Sequence, residues 1–264
     1  MGQSSKTLDI VFIGAGNLAT NLGLALTRAG HNIVCVYSRT EHSASILAGK
    51  LGCTWTTDLQ EVASSAHTCD VAIISVKDTV LAEVASQMPQ SSKTLFLHTA
   101  GSMPMDTLTM SHHGVFYPMQ TFSKERETDF SVVPTFLECN NERDKELLLS
   151  LALSITDKVY WLDSERRKSL HLAAVFTCNF ANYCYDAASQ LLEKDGIPFE
   201  VMLPLIQETT DKLQELTPFQ AQTGPAVRYD TNVISRHLKM LENEPEKQKL
   251  YALMSQMIHD RHGI

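Results

Sequence analysis

Hydrophobic positions along the first 163 residues alternate between two rhythms. Unbroken apolar runs at 8–14 (LDIVFIG), 32–39 (NIVCVYSR), 70–76 (DVAIISV) and 94–101 (TLFLHTAG) read as short strands buried on both faces. Over 17–29 the spacing changes: Leu18, Leu22, Ala25 and Leu26 recur every three or four residues, which predicts a helix that Gly30 stops. Further helices are predicted over 43–50, from Asp58 as N-cap through Ala66, and from about Asp78 to Met88. The runs at 53–57, 114–121, 130–139 and 159–163 read as additional strands, with a helix over 143–155. Strands that alternate with helices at this pitch pair in parallel, because each crossover returns the chain to the same sheet edge.

After Asp163 the strand rhythm ends. Residues 164–194 carry one long helical pattern, and Pro198, Pro204, Pro218, Pro225 and Pro245 punctuate shorter helices behind it. The expectation is an α/β chain: a doubly wound, mostly parallel sheet over 1–163, then an all-helical domain over 164–264.

Gly14-Ala15-Gly16-Asn17-Leu18-Ala19 stands between the first predicted strand and the first predicted helix. That context gives the pattern G-x-G-x-x-A a mechanism. Gly14 permits the tight turn, Gly16 lets backbone approach a diphosphate, and Ala19 keeps the helix close to the sheet. The helix N-terminus supplies free N–H groups to the anion, and the region is therefore read as a Rossmann-type dinucleotide site. The end of the second strand chooses between coenzymes. It reads Tyr37-Ser38-Arg39-Thr40, with no acid before Glu41. A carboxylate there would bind a ribose 2′-hydroxyl, whereas a guanidinium grips a 2′-phosphate. NADP(H) is expected, held by Gly14, Gly16, Asn17, Leu18, Ser38, Arg39 and Thr40, with Val76 and Lys77 at the next strand end.

Composition narrows the remaining classes. The chain has 264 residues and a formal charge of −8, which argues against a nucleic-acid partner. No run of 18 apolar residues predicts a membrane span. The start Met-Gly-Gln-Ser-Ser-Lys resembles an acylation signal only in part, since Lys6 replaces the expected hydroxyl residue. The six cysteines form no C-x-x-C pair and read as small buried thiols of a cytoplasmic protein. His259 and His262 have no cysteine partners nearby, and no metal is expected.

Candidate chemistry gathers at strand ends and on one helix. Ligands bind outside the carboxyl ends of parallel strands. His98, Ser102 and Gln120 are candidate substrate contacts on that ground, and Asp78 is a candidate N-cap. In the helix after 163, Lys168, His171, Val175, Asn179 and Asn182 recur at steps of three or four and are predicted to share a face. Reduction of a carbonyl or imine needs a proton donor, so His171, Lys168 and Asn179 are the catalytic candidates. Thr223 and Arg228 could present donors to an anionic substrate, with Asp230 capping the next helix.

The strings IGAGNLA, VYSRT, HTAGSMPM, FYPMQTFSK, RRKSLHLAAVFTCNFANY, PLIQETTDKL and AQTGPAVRYD carry a wider likeness. On them the chain resembles a family of predicted NADP-dependent oxidoreductases with a Rossmann-like N-terminal half and a C-terminal domain of unknown function. The wider superfamily includes pyrroline-5-carboxylate reductase, ketopantoate reductase and β-hydroxyacid dehydrogenases. The resemblance implies a helical domain that completes the active site and often makes a homodimer. The catalytic Lys and the Asn four residues later in two of those groups do not carry over, because Leu172 stands four after Lys168.

The expected function is NADP(H)-dependent hydride transfer to or from a small carbonyl or imine substrate. The alternative is a redox sensor that binds NADP(H) without turnover.

Overall fold

A computed structural model describes residues 6–91 and 93–263. The acylation-like start, apart from Lys6, lies outside the described residues. Eight strands form one sheet in the order β3-β2-β1-β4-β5-β6-β7-β8. They are β1 (Asp9–Ile13), β2 (Asn32–Tyr37), β3 (Thr54–Thr56), β4 (Val71–Ile74), β5 (Leu95–His98), β6 (His113–Pro118), β7 (Thr135–Cys139) and β8 (Val159–Trp161). All neighbours pair in parallel except β6 and β7. Between the strands run α1 (Asn17–Arg28), α2 (Glu41–Leu51), α3 (Leu59–Thr68), α4 (Asp78–Ser86) and α5 (Glu142–Leu153). The predicted strand over 130–139 begins later, because Phe130–Val132 forms a short 3₁₀ turn whose amide at Ser131 is held by Asp129.

Period-two alternation in β1 divides the core into two layers. Ile10 and Phe12 pack with Leu22, Leu26, Leu47 and Leu151 of α1, α2 and α5. Val11 and Ile13 pack on the opposite face with Val62, Ala66 and Leu81 of α3 and α4. With both faces covered, the central strands β1, β4 and β5 bury nearly every side chain, which is why they read as continuous apolar runs. Asp58 caps α3 by accepting from the Gln60 amide at 2.8 Å. Asp78 does not cap α4: Lys77 occupies the N-cap, and Asp78 lies in the first turn.

Beyond β8 the chain is helical, starting with α6 (Ser164–Ala174). Val175–Phe180 then winds as a π-helix before α7 (Ala181–Glu193). Wider winding interrupts the three-and-four spacing that predicts a shared face for His171, Asn179 and Asn182. By contacts the chain divides into two compact units, residues 1–178 and 179–264. The composition changes at 163, yet α6 falls in the first unit. Its Ser164 and Arg167 are bonded to Glu138 on β7 and to the loop after β5.

The second unit contains α7, α8 (Leu203–Asp211), α9 (Pro218–Ala221), α10 (Thr231–Met240) and α11 (Pro245–His262). Asp230 caps α10 as expected, accepting from the Val233 amide at 3.2 Å. His237 meets the Tyr251 hydroxyl at 2.8 Å, and Lys194 and Lys247 both pair with Glu244. No described helix is long and apolar enough to cross a membrane.

Candidate active site

The sheet reverses its winding direction between β1 and β4, and the glycine loop lies at that point. Gly14 has φ +119°, a conformation that side chains resist, and a Cβ there would collide with the Ser75 carbonyl oxygen. Its amide bonds to Tyr37 O at 2.8 Å, so the turn is locked to β2. Gly16 differs. Its backbone is ordinary, and a Cβ there would meet nothing within 4 Å. The first amide to bond back into α1 is that of Thr20, to Gly16 O at 3.0 Å. Gly16 gives no side-chain cap and the first turn has no acid, so the amides of residues 17–19 are open to an anion.

Other predicted coenzyme residues border this loop or the neighbouring strand ends. Val76 Cγ1 lies 3.4 Å from where a Gly14 Cβ would stand. Lys77 is exposed at the N-cap of α4. Ser38, Arg39 and Thr40 follow β2, and Arg39 is exposed without a hydrogen-bond or ion-pair partner among the described residues. The Asn17 side chain is tied down: its Nδ2 donates to Phe122 O at 2.9 Å. Asn21 adds a second tie, donating to Ser123 O at 2.9 Å and accepting from the Thr128 amide at 3.0 Å. These bonds strap the loop after β6 over α1.

Several candidates from the strand ends have other occupations. His98 is fully buried. Its Nδ1 accepts from the Ala100 amide at 3.2 Å, so Nε2 carries the proton and donates to Pro104 O at 3.2 Å. Burial, with Arg167 adding to it, pushes its pKa down to about 3. His98 therefore fastens the loop after β5 and does not face a ligand. Ser102 donates its hydroxyl to Asp78. Gln120 is exposed and its Oε1 accepts from the Thr121 amide at 2.8 Å. Lys168, half-buried on α6, pairs with Glu165 at 2.7 Å. Asn179 belongs to the second unit, as do Thr223 and Arg228, and all three are exposed.

His171 is brought to the strand ends. Half-buried on α6, it places Nδ1 3.1 Å from the hydroxyl of Tyr117, near the end of β6. The rings meet edge to face, with centroids 6.1 Å apart and planes at 68°. Burial pushes the Tyr117 pKa up, the Arg167 guanidinium pulls it down, and Asp78 raises it again. Gly101 closes the third side, since a Cβ on it would lie 2.5 Å from His171 Nδ1.

Sequence reasoning missed Tyr117, Gly101 and the ion pair beneath them. Arg167 is 1% exposed and pairs with Glu138, while its Nη2 donates to Met103 O at 2.6 Å. Glu138 also accepts from Ser164 Oγ at 2.8 Å, so one carboxylate anchors the first turn of α6. This anchoring sets where His171, one turn further on, can stand. Among the described residues no group of three or more His, Cys, Asp or Glu side chains could hold a metal ion. All six cysteines are free thiols, and burial pushes Cys53 up to about 11 and Cys69 up to about 12.

Comparison with known proteins agrees with this architecture. Residues 9–100 match the family model described as NADP oxidoreductase coenzyme F420-dependent, and residues 133–258 match a domain of unknown function (DUF2520). No curated protein matches the chain significantly. Among solved structures, a Bacteroides fragilis protein designated an NADP oxidoreductase is 51% identical, with a TM-score of 0.89. That match covers 96% of this chain and 98% of the other. A pyrroline-5-carboxylate reductase from Coxiella burnetii is 19% identical with a TM-score of 0.58, covering 98% of both chains. An imine reductase from Streptomyces aurantiacus is 14% identical with a TM-score of 0.59, covering 97% of this chain and 93% of that one. At those identities the last two show a shared fold.

Proposed function

The chain belongs to the family of the Bacteroides fragilis NADP oxidoreductase, and on that premise we propose that it is an NADP(H)-dependent reductase of a small carbonyl or imine compound. The residues present fit the coenzyme. The backbone of Gly14, Gly16, Asn17 and Leu18 would hold its diphosphate at the open amides that start α1. Arg39 would grip the 2′-phosphate, with Ser38 and Thr40 beside it, and Val76 and Lys77 would border the nicotinamide half.

When bound, the dihydronicotinamide supplies a hydride, with its electron pair, to the substrate carbon. The π pair of the C=O or C=N bond then moves onto oxygen or nitrogen, which needs a proton. His171 is the donor, because it is the half-buried titratable side chain that joins the strand ends through Tyr117. That hydrogen bond is the observation that carries the reading. A sensor that binds NADP(H) without turnover has no need of a positioned acid.

The second unit is read as a pairing surface for another copy of the chain. Leu203, Leu205, Phe219, Met240, Leu253 and Met257 are all exposed on its helices, a density of apolar surface that monomers rarely leave in water.

The test is NADPH oxidation over a panel of small keto acids and cyclic imines. A substrate should be found, and His171→Ala should abolish its turnover while NADPH still raises Tm. Binding without turnover of any member would favour the sensor. Full activity in His171→Ala would remove the assigned donor.

A further inference from the structure

Tyr117, His171 and Gly101 come from three separate segments, and their meeting explains a glycine that backbone conformation does not. Gly101 is absent from the positive-φ residues, so no turn requires it. What it supplies is space. A Cβ there would lie 2.5 Å from His171 Nδ1 and 2.9 Å from both His171 Cγ and Tyr117 Cζ. Any larger residue would push the two rings apart.

We propose that Tyr117 is a positioning residue: across Gly101 it donates its phenolic hydrogen to Nδ1 of neutral His171, so that the ring carries its own proton on Nε2. The inference rests on the reading of His171 as the proton donor and specifies which nitrogen does the work.

The direction of the bond follows from burial. Tyr117 is 8% exposed, and His171 Nδ1 is the hydrogen-bond partner of its hydroxyl. If the hydroxyl only accepted, its O–H would be a buried donor left unpaired, which costs more than an acceptor with a spare lone pair. Burial also holds the phenol protonated. His171 Nε2 has no partner among the described residues and is open to a ligand.

This arrangement solves a chemical difficulty. A neutral imidazole that gave up its Nε2 proton alone would become an anion. Here, as the Nε2–H bond breaks toward the substrate, the phenolic proton passes to Nδ1 and the O–H electron pair stays on the phenolate oxygen. The ring remains neutral, and after product leaves Nε2 takes a proton from water as the Nδ1 proton returns to the phenolate. The buried Arg167 guanidinium offsets part of the burial that raises the Tyr117 pKa.

The test is ¹⁵N NMR of histidine side chains in the full chain without ligand at neutral pH, with the His171 signals identified by their loss in H171Q. The expected signature is a protonated Nε2 and an unprotonated, hydrogen-bonded Nδ1. Y117F should replace it with a mixture of tautomers, and G101A should do the same. With a substrate in hand, Y117F should lower kcat by about 10- to 100-fold and leave the KM for NADPH unchanged. A proton on Nδ1 in the wild-type ring, or a His171 signature unmoved by Y117F, overturns the proposal. Because the ring is observed in the free protein, failure to find any NADPH-dependent turnover would count against the enzymatic reading and leave this result to stand on its own.

Discussion

The two units of the chain put their apolar residues to opposite uses. In the first, the sheet hides its side chains under helices on both faces, and Ile10, Phe12, Val11 and Ile13 have no measurable exposure. In the second, Ala226, Leu241 and Ser255 are the buried residues among those described, while large apolar side chains stand out along several helices. A helix draws most of its stability from the face it packs. The first unit therefore has an interior of its own. The second has the composition of one without the enclosure, and a second copy would supply it.

The largest effect separating the units should be on assembly. Sedimentation of the intact chain should give twice the monomer mass, and paired charges introduced at Leu205 and Met240 should return it to one chain. A monomeric wild type would make the exposed face a surface for something else.

Next in size is the ion pair inside the first unit. Glu138→Gln or Arg167→Ala leaves one charge buried without its partner, which costs about 3–5 kcal/mol. Chemical denaturation should register that loss, and an unchanged midpoint would contradict the role given to Arg167.

The two glycines of the loop should then part company. Gly14→Ala forces a side chain into a positive φ and against Ser75, so it should lower Tm strongly. Gly16→Ala meets open space and should leave the free protein's Tm unchanged. It should nevertheless remove the rise in Tm that NADPH produces, because the new methyl occupies the approach to the amides. Equal thermal losses in both variants would erase the distinction.

Smallest per unit of pH, though spread over several units, is the effect of His98. Its folded pKa of about 3 lies below the ordinary histidine value, so the unfolded chain binds a proton that the folded chain refuses. Stability should therefore fall as pH drops below about 6.5 and stop falling from this source near 3, by about 1.4 kcal/mol per pH unit at most. H98Q should flatten that acid slope. An equal slope in the variant would mean that His98 titrates normally.

How much of this was legible in the sequence depends on how far apart the partners lie. The glycine loop, its flanking strand and helix, and the Arg39 position are local, since each sits within a few residues of a periodic signal. The Asp58 and Asp230 caps were legible for the same reason. Tyr117 and His171 are 54 positions apart, and nothing in either segment announces the other. Gly101 looks like any turn glycine until the ring beside it is placed. Arg167 and Lys168 are neighbours of the same charge, and Lys168 fell on the polar stripe. The structure buries the arginine, whose guanidinium reaches both Glu138 and Met103 O, and pairs the half-buried lysine with Glu165. The π-helix at Val175–Phe180 departs from the single pitch that three-and-four spacing encodes, so the spacing does not announce it.

The central claim is that open amides and a free guanidinium together hold a 2′-phosphorylated dinucleotide. Isothermal titration of the wild type and Arg39→Ala with NADPH and NADH tests it most directly. The account predicts tighter NADPH binding in the wild type and a loss of about 10- to 100-fold for NADPH alone in the variant, the contribution of hydrogen bonds to a charged group. Equal affinity for both coenzymes, or an equal loss of both in Arg39→Ala, would contradict it.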